Sequence, residues 1–218
     1  MGRPWHSDGN RGHIAAFKNY TDDLLKVFDL IFSESQGRPI FIYGHSMGSI
    51  VATLFTLQHQ EKITGLILTG FPFKPSIPIT GFTLKVIQFL GKTFPLLNIP
   101  TLINVKHLSH DKKVWEEFDL DPMNNKTVSL SWVAEFYSTI ESLGDKLCQL
   151  KLPLLIMHGG GDKVARLEGA EKAVQSISSK DKTFRIFDGQ RHELLNELPP
   201  TPDQVTHLII DWIQQRLH

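Results

Sequence analysis

Short apolar runs alternate with helical patterns along most of this 218-residue chain. The runs are too brief for helices and are rich in branched and aromatic side chains, so we predict strands at 39–43, 65–69, 154–157 and 184–187. Residues with the three-and-four spacing of packed helices predict helices at 17–32, 50–57, 168–177 and from 201 onwards. This alternation predicts a three-layer α/β fold with a mostly parallel sheet and right-handed crossovers.

The middle of the chain has a different texture. A proline-rich stretch follows Phe71, and the apolar patterns after it are helical, with no convincing strand. Open α/β sheets bind ligands beyond the carboxyl ends of their strands. We therefore predict that residues 71–150 form a helical cap over that edge, and that residues 1–70 and 151–218 form the core.

Composition and charge narrow the class of partner. Apolar residues make up 41% of the chain and charged residues 21%, as in ordinary globular domains. The 23 Lys and Arg residues balance the 23 Asp and Glu residues, which removes the electrostatic basis for a nucleic-acid partner. A neutral or small-molecule substrate fits this balance better.

The cysteine content and the apolar stretches of the sequence indicate the cellular compartment in which the protein is expected. Cys148 is the single cysteine, so an intramolecular disulfide is excluded and a reducing compartment is expected. Residues 1–12 are polar, and no stretch approaches the roughly 20 apolar residues of a spanning helix. We expect a cytoplasmic protein whose contact with membranes, if any, is peripheral.

The segment Gly44-His-Ser-Met-Gly48 fits the pattern G-x-S-x-G between a predicted strand and a predicted helix. In that context the pattern indicates a nucleophile elbow, a strained turn that presents a serine hydroxyl. The following helix begins at the serine, so the backbone N–H of Met47 is placed to stabilise an oxyanion. Ser46 is therefore a candidate nucleophile.

A serine hydroxyl needs a positioned base, and the base needs an acid that fixes its tautomer. Asp162 follows the predicted strand 154–157, and His192 follows the strand that ends at Phe187. Both lie at the same sheet edge as Ser46, in the chain order serine, acid, histidine. Asp188 is the competing acid. Neither a metal-ligand set nor a cofactor motif is evident.

Several segments together resemble the monoacylglycerol lipase and lysophospholipase branch of the α/β-hydrolases, which shares features with serine aminopeptidase-like hydrolases. The resemblance is carried by Ser7–His13, Gly44–Gly48, Leu108–Asp111 with Asp121-Pro122, His158–Asp162 and His192–Glu197. It implies the α/β-hydrolase fold, no cofactor, Ser46 as nucleophile, Asp162 as acid, His192 as general base and Met47 as oxyanion donor. It also implies a serine esterase that acts on a single-chain lipid ester.

The resemblance departs from the family at the amino terminus. Family members ordinarily carry several strands before the Ser-Asp-Gly-like segment, and a His-Gly loop that supplies a second oxyanion N–H. We therefore expect an N-terminally shortened fold. The alternative function is a catalytically impaired pseudoenzyme or lipid-binding module, and a third option is a small-ester hydrolase or aminopeptidase.

The cap contains apolar residues at helical spacing, namely Phe82, Val86, Phe89 and Leu90. If the substrate is a lipid ester, these residues are expected to bind it by lining an acyl channel, and to contact a membrane or micelle surface. The alternative is that they only pack the cap onto the core.

Overall fold

The computed structural model describes residues 9–217, which form helices and strands in alternation. In chain order these are α1 (Lys18–Glu34), β1 (Phe41–His45), α2 (Met47–His59), β2 (Gly65–Thr69), α3 (Gly81–Thr93), β3 (Asn98–Pro100), α4 (Lys112–Leu120), β4 (Thr127–Ser129), α5 (Leu130–Gly144), β5 (Leu154–Gly159), α6 (Leu167–Ser176), β6 (Lys182–Phe187) and α7 (Thr201–Gln214). Ser7 and Asp8, which begin the first segment of the family resemblance, lie outside the described residues.

Four of the strands form one parallel sheet in the order β1-β2-β5-β6, as predicted. β1 begins two residues later than expected and continues to His45, because its pairing with β2 extends to the partners His45 and Thr69. β6 begins two residues earlier, at Lys182 and Thr183. Hydropathy missed these two because an edge strand tolerates polar side chains that face water.

The two faces of the sheet bury alternate side chains, as the period of two along a strand requires. On β2, Leu66 and Leu68 join a cluster with Phe28 of α1 and Phe55 of α2. Ile67, between them, joins a second cluster on the opposite face. That cluster includes Leu155, Met157, Val205 and Trp212, of which the last two belong to α7. The result is the predicted three-layer arrangement.

The segment between β2 and β5 contains three helices, but also the antiparallel pair β3 and β4. The prediction of a strandless segment was wrong, because three-residue strands are too short to leave a periodic pattern. The end of α5 and the turn after it bury Leu143, Leu147 and Leu150 in the main core cluster. The boundary of the cap at residue 150 therefore stays a prediction.

α3 is bound to α5 on one side and faces solvent on the other. Leu84 is buried, and at Gly91 an added Cβ atom would lie 3.0 Å from the Leu130 carbonyl oxygen, so the glycine lets the two helices approach closely. The outer face carries exposed Phe82 and Phe89. Within residues 9–217 no helix combines the length and the apolar character that crossing a membrane requires.

Shortening a buried side chain on the central strand β5 should destabilise the fold strongly. Leu155 is fully buried, and Leu155→Ala is expected to lower the free energy of unfolding by about 2–5 kcal/mol, through lost burial and a residual cavity. The matched control Leu30→Ala, at a 66% exposed site on α1, should change it by less than about 0.5 kcal/mol. Urea unfolding measures both. Equal losses would contradict the assignment of β5 to the centre of the core.

Candidate active site

Ser46 lies between β1 and α2 in a backbone conformation that L-residues rarely adopt, with φ 52° and ψ −126°. Its N–H donates to the Thr69 carbonyl at 3.0 Å, which ties the turn to β2. At Gly44 an added Cβ atom would lie 2.7 Å from the Gly48 carbonyl oxygen, so the turn requires glycine there. At Gly48 an added Cβ would meet nothing outside its own turn within 4 Å. The steric requirement therefore applies to the first glycine only.

His192 joins the other two predicted residues in one chain of hydrogen bonds. Its Nε2 lies 2.8 Å from Ser46 Oγ, and its Nδ1 lies 2.7 Å from Asp162 Oδ2. The other carboxylate oxygen of Asp162 accepts from the N–H groups of Val164 and Ala165, at 2.7 and 2.9 Å. Asp188, the competing acid, is exposed, whereas the carboxylate bonded to His192 Nδ1 is that of Asp162. The structure thus brings Ser46, Asp162 and His192 together.

Glycines bring the loops of Asp162 and His192 into backbone contact. The N–H of Gly160 donates to Phe187 O and that of Gly161 to Gln190 O, both at 2.8 Å. A Cβ atom at Gly159 would collide with the Arg191 carbonyl oxygen. The glycine-rich run after β5 is therefore a packing requirement, because two loops that end adjacent parallel strands approach without side chains between them.

The carboxylate of Asp162 is buried beside two imidazoles. Burial alone would raise its pKa, but the hydrogen bond and charge of His192, the nearby His158 and the Ala165 N–H hold the pKa below its ordinary value. His158 Nε2 lies 2.9 Å from Ala165 O and 3.4 Å from Asp162 Oδ2. Desolvation lowers the pKa of His158, so this imidazole is neutral near pH 7 and serves for packing and hydrogen bonding.

The His45 ring packs against the His192 ring, and the two ring centroids are 4.9 Å apart. His45 Nδ1 lies 3.0 Å from Thr69 Oγ1. Desolvation, followed by the charge of His192, lowers the pKa of His45 to about 4. It is therefore neutral near pH 7 and adds no second positive charge when His192 is protonated.

An apolar cavity of about 370 Å³ opens at Ser46 and Met47. Its apolar lining comes from the loop after β2, from the β3 and β4 region and from α5, and comprises Ile77, Ile79, Ile99, Leu102, Ile103, Val128, Val133 and Phe136. Asn104, His107 and Lys163 add polar groups to the lining. Met47 is the first residue of α2, so its N–H has no acceptor within the helix.

The four predicted cap residues do not reach this cavity. Phe82 and Phe89 are 81% and 68% exposed, Val86 is exposed, and Leu90 is half-buried, but none is in the lining. The channel-lining assignment therefore needs correction. α3 is apolar on more than one side, and periodicity cannot tell which side faces a cavity. The alternating isoleucines of the proline-rich stretch, Ile77 and Ile79, were the signal that sequence reasoning missed.

No metal centre can be assigned on this part of the chain. Among residues 9–217 no group of three His, Cys, Asp or Glu side chains is arranged to hold a metal ion. The histidines near Ser46 instead hydrogen-bond to protein oxygen atoms, as His45 and His158 do.

The stability of the fold should depend on the neutral state of His45. Between pH 4 and 6.5 the unfolded chain binds a proton at this residue that the folded protein does not. The free energy of unfolding should therefore fall as pH decreases through this window, with a contribution from His45 on the order of 3 kcal/mol at most. His158 acts in the same direction.

Unfolding curves of wild type and His45→Gln measured at pH 4 to 7 check this expectation, with His207→Gln on the exposed face of α7 as a control for the substitution itself. The slope between pH 4 and 6.5 should be smaller for His45→Gln. A His45→Gln curve parallel to wild type would contradict the neutral imidazole.

Two known proteins with similar sequences have the names of lipid hydrolases. A rat monoglyceride lipase is 28% identical over 97% of this chain and 70% of its own length. A Bacillus subtilis phospholipase, YtpA, is 32% identical over 86% of this chain and 72% of its own length. The crystal structure of a Paleococcus ferrophilus monoacylglycerol lipase superposes with a TM-score of 0.82 at 24% identity. It covers 95% of this chain and 78% of its own.

The structural likeness confirms the α/β-hydrolase fold that the sequence predicted. Residues 6–199, most of the chain, match the family described as serine aminopeptidase, S33. The chain therefore belongs to the serine aminopeptidase S33 family of hydrolases.

Proposed function

We propose that this protein is a serine hydrolase that cleaves the carboxylic ester of a single-chain lipid, a monoacylglycerol or a lysophospholipid, through an acyl-enzyme intermediate. One observation carries the proposal. Ser46 Oγ is hydrogen-bonded to an imidazole that a buried carboxylate orients, and the same hydroxyl faces an apolar cavity. The names of the rat and Bacillus relatives support the same substrate class.

The proposed reaction uses each of the three residues once in each half. Ser46 Oγ attacks the ester carbonyl while His192 Nε2 takes its proton, and the resulting oxyanion accepts a hydrogen bond from the Met47 N–H. The imidazolium then protonates the leaving alcohol as the ester C–O bond breaks. Water attacks the acyl-enzyme in the same way and releases the fatty acid. Asp162 stays ionised throughout and holds the Nδ1–H tautomer.

The cavity next to Ser46 suits an acyl chain attached to the scissile carbonyl. Its walls are mostly apolar, with aliphatic and aromatic side chains, and each methylene moved from water into such a site gains about 0.8 kcal/mol. The polar residues Asn104, His107 and Lys163 suit the alcohol part of the substrate. A glycerol hydroxyl can hydrogen-bond to the Asn104 amide, and a phosphate can pair with Lys163.

The exposed apolar face of α3 supports a second part of the proposal, peripheral contact with a lipid surface. Phe82 and Phe89 on this face are more than half exposed, and so are three apolar residues directly after the helix, Phe94, Leu96 and Leu97. Lys85 and Lys92 flank them. Such a face, apolar with a basic border, is typical of segments that lie in a membrane interface. It would place the substrate beside the enzyme.

Covalent labelling tests the nucleophile and its base. A fluorophosphonate probe should add to wild-type Ser46, because an activated serine reacts where ordinary serines do not. Ser46→Ala and His192→Ala should each abolish ester hydrolysis, and the double variant should be hardly worse, since members of a triad act as a unit. Asp162→Asn should lose less. Intact mass and initial rates measure these changes.

Two outcomes would contradict this assignment. Labelling of Ser46→Ala at the wild-type rate would place the nucleophile elsewhere. A wild-type protein that binds a lipid ester but gains no adduct would instead favour the pseudoenzyme or lipid-binding alternative.

A pair of cap variants tests the cavity and the exposed face separately. Val133→Phe should fill part of the cavity, and displacing two buried methylenes would lower kcat/KM for long-chain p-nitrophenyl esters about tenfold while sparing the acetate. Phe89→Asp should keep the wild-type chain-length profile on monomeric esters but weaken binding to phospholipid vesicles. A flat wild-type profile would favour the small-ester hydrolase instead.

A further inference from the structure

The loop that carries His192 is joined to the segment 106–111, which precedes α4. These two segments contain the runs Leu108–Asp111 and His192–Glu197, of which the proposed chemistry uses His192 alone. The Glu193 N–H donates to Leu108 O at 2.8 Å, and Ser109 Oγ donates to Asn196 O at 2.7 Å. The histidine loop is therefore not a free turn, because the cap segment holds it along its length.

Glu197 lies at the centre of this junction. Its side chain is fully buried, and each carboxylate oxygen accepts from a different segment. Oε1 accepts from the N–H of Arg191 at 2.8 Å, and Oε2 accepts from the N–H of His110 at 3.0 Å. His110 Nδ1 lies 3.0 Å from Oε1. Arg191 directly precedes His192, so this carboxylate connects the peptide before the base to the cap.

The site requires a carboxylate rather than any polar side chain of the same size. Burial would raise the pKa of Glu197, but the donors from Arg191 and His110 hold the pKa below its ordinary value, so the group is ionised. An ionised carboxylate accepts at both oxygens. A glutamine amide accepts at one only, and its NH2 group would face an N–H donor.

The Arg191 side chain makes a second, more exposed link between the same segments. Its Nη1 donates to Ser109 O at 2.7 Å and also to Lys106 O. Its guanidinium lies 5.8 Å from the ring centroid of Trp115. Two independent groups, one buried and one near the surface, thus tie the residue before His192 to the cap.

We propose that Glu197 is a positioning residue that fixes His192 between Ser46 and Asp162 by holding the Arg191 peptide against the cap segment 108–111. The inference rests on the proposed function for the role of His192. The two imidazole nitrogens lie 2.8 Å from Ser46 Oγ and 2.7 Å from Asp162 Oδ2, so a shift of the ring would lengthen at least one of two short hydrogen bonds. A displacement of about 1 Å in such an arrangement costs roughly a hundredfold in rate.

The test compares Glu197→Gln with Glu193→Gln. Both remove one negative charge from the same loop, but the Glu193 carboxylate accepts from the exposed Asn196 side chain, at 2.7 Å, within that loop. Glu197→Gln should lower kcat at least about tenfold with KM within about threefold, and should slow fluorophosphonate labelling of Ser46 to a similar extent. Glu193→Gln should stay close to wild type in both.

A proton NMR measurement gives a readout that does not depend on turnover. The proton in the short, charge-assisted bond between His192 Nδ1 and Asp162 should resonate far downfield in wild type and in Glu193→Gln. In Glu197→Gln this resonance should shift or broaden while the protein keeps its cooperative thermal unfolding. Arg191→Met, which cuts the surface link only, should produce a smaller change of the same kind and serves if Glu197→Gln does not fold.

The outcomes separate the two proposals. If wild type is labelled by the probe and Glu197→Gln reacts at the same rate with an unchanged downfield resonance, the positioning role is wrong. If wild type is not labelled at all, the proposed hydrolase function fails, and the effect of Glu197→Gln on the resonance still decides whether Glu197 positions His192.

Discussion

The parallel pairing of β1, β2, β5 and β6 is the constraint on which the rest of the structure depends. Parallel strands end at one edge of a sheet, so the turns after β1, β5 and β6 lie together although up to 146 residues separate Ser46 from His192. Small residues then allow these turns to touch. Gly44 permits the strained elbow, and the glycines after β5 let two backbones meet directly.

The segment between β2 and β5 contributes more than a cover. It supplies most of the apolar lining of the cavity next to Ser46, and the stretch before α4 binds the loop of His192 through Glu197 and Ser109. The cavity next to Ser46 and the loop of His192 thus both depend on contacts with this one segment.

Charge around the proposed triad is kept low in an environment with little water. Asp162 is ionised. His158, beside Asp162, and His45, against the His192 ring, are both neutral because burial lowers their pKa values. If either imidazole were charged, the single carboxylate would have to stabilise two positive charges, that one and the charge on His192. In the proposed reaction, neutral neighbours leave Asp162 to stabilise the imidazolium on His192.

The sequence alone determined the parallel α/β architecture, the order of serine, acid and histidine, and the edge at which they lie. These follow from local features: runs apolar on both faces, a strand-turn-helix glycine pattern, and polar residues directly after strands. It located the four sheet strands to within two residues at their amino ends, and their final lengths followed from pairing partners.

Only the tertiary structure decided which residues line the cavity and which contact the loop of His192. Phe82 and Phe89 are apolar, as the residues of a channel wall would be. However, α5 packs against the inner side of α3, so both side chains face solvent. Ile77 and Ile99 line the cavity instead. Nothing local marks Glu197 as buried, since its partners at Arg191 and His110 are brought to it by contact between distant segments. Helical periodicity identifies an apolar face, and the neighbour that covers that face is fixed by packing across the whole chain.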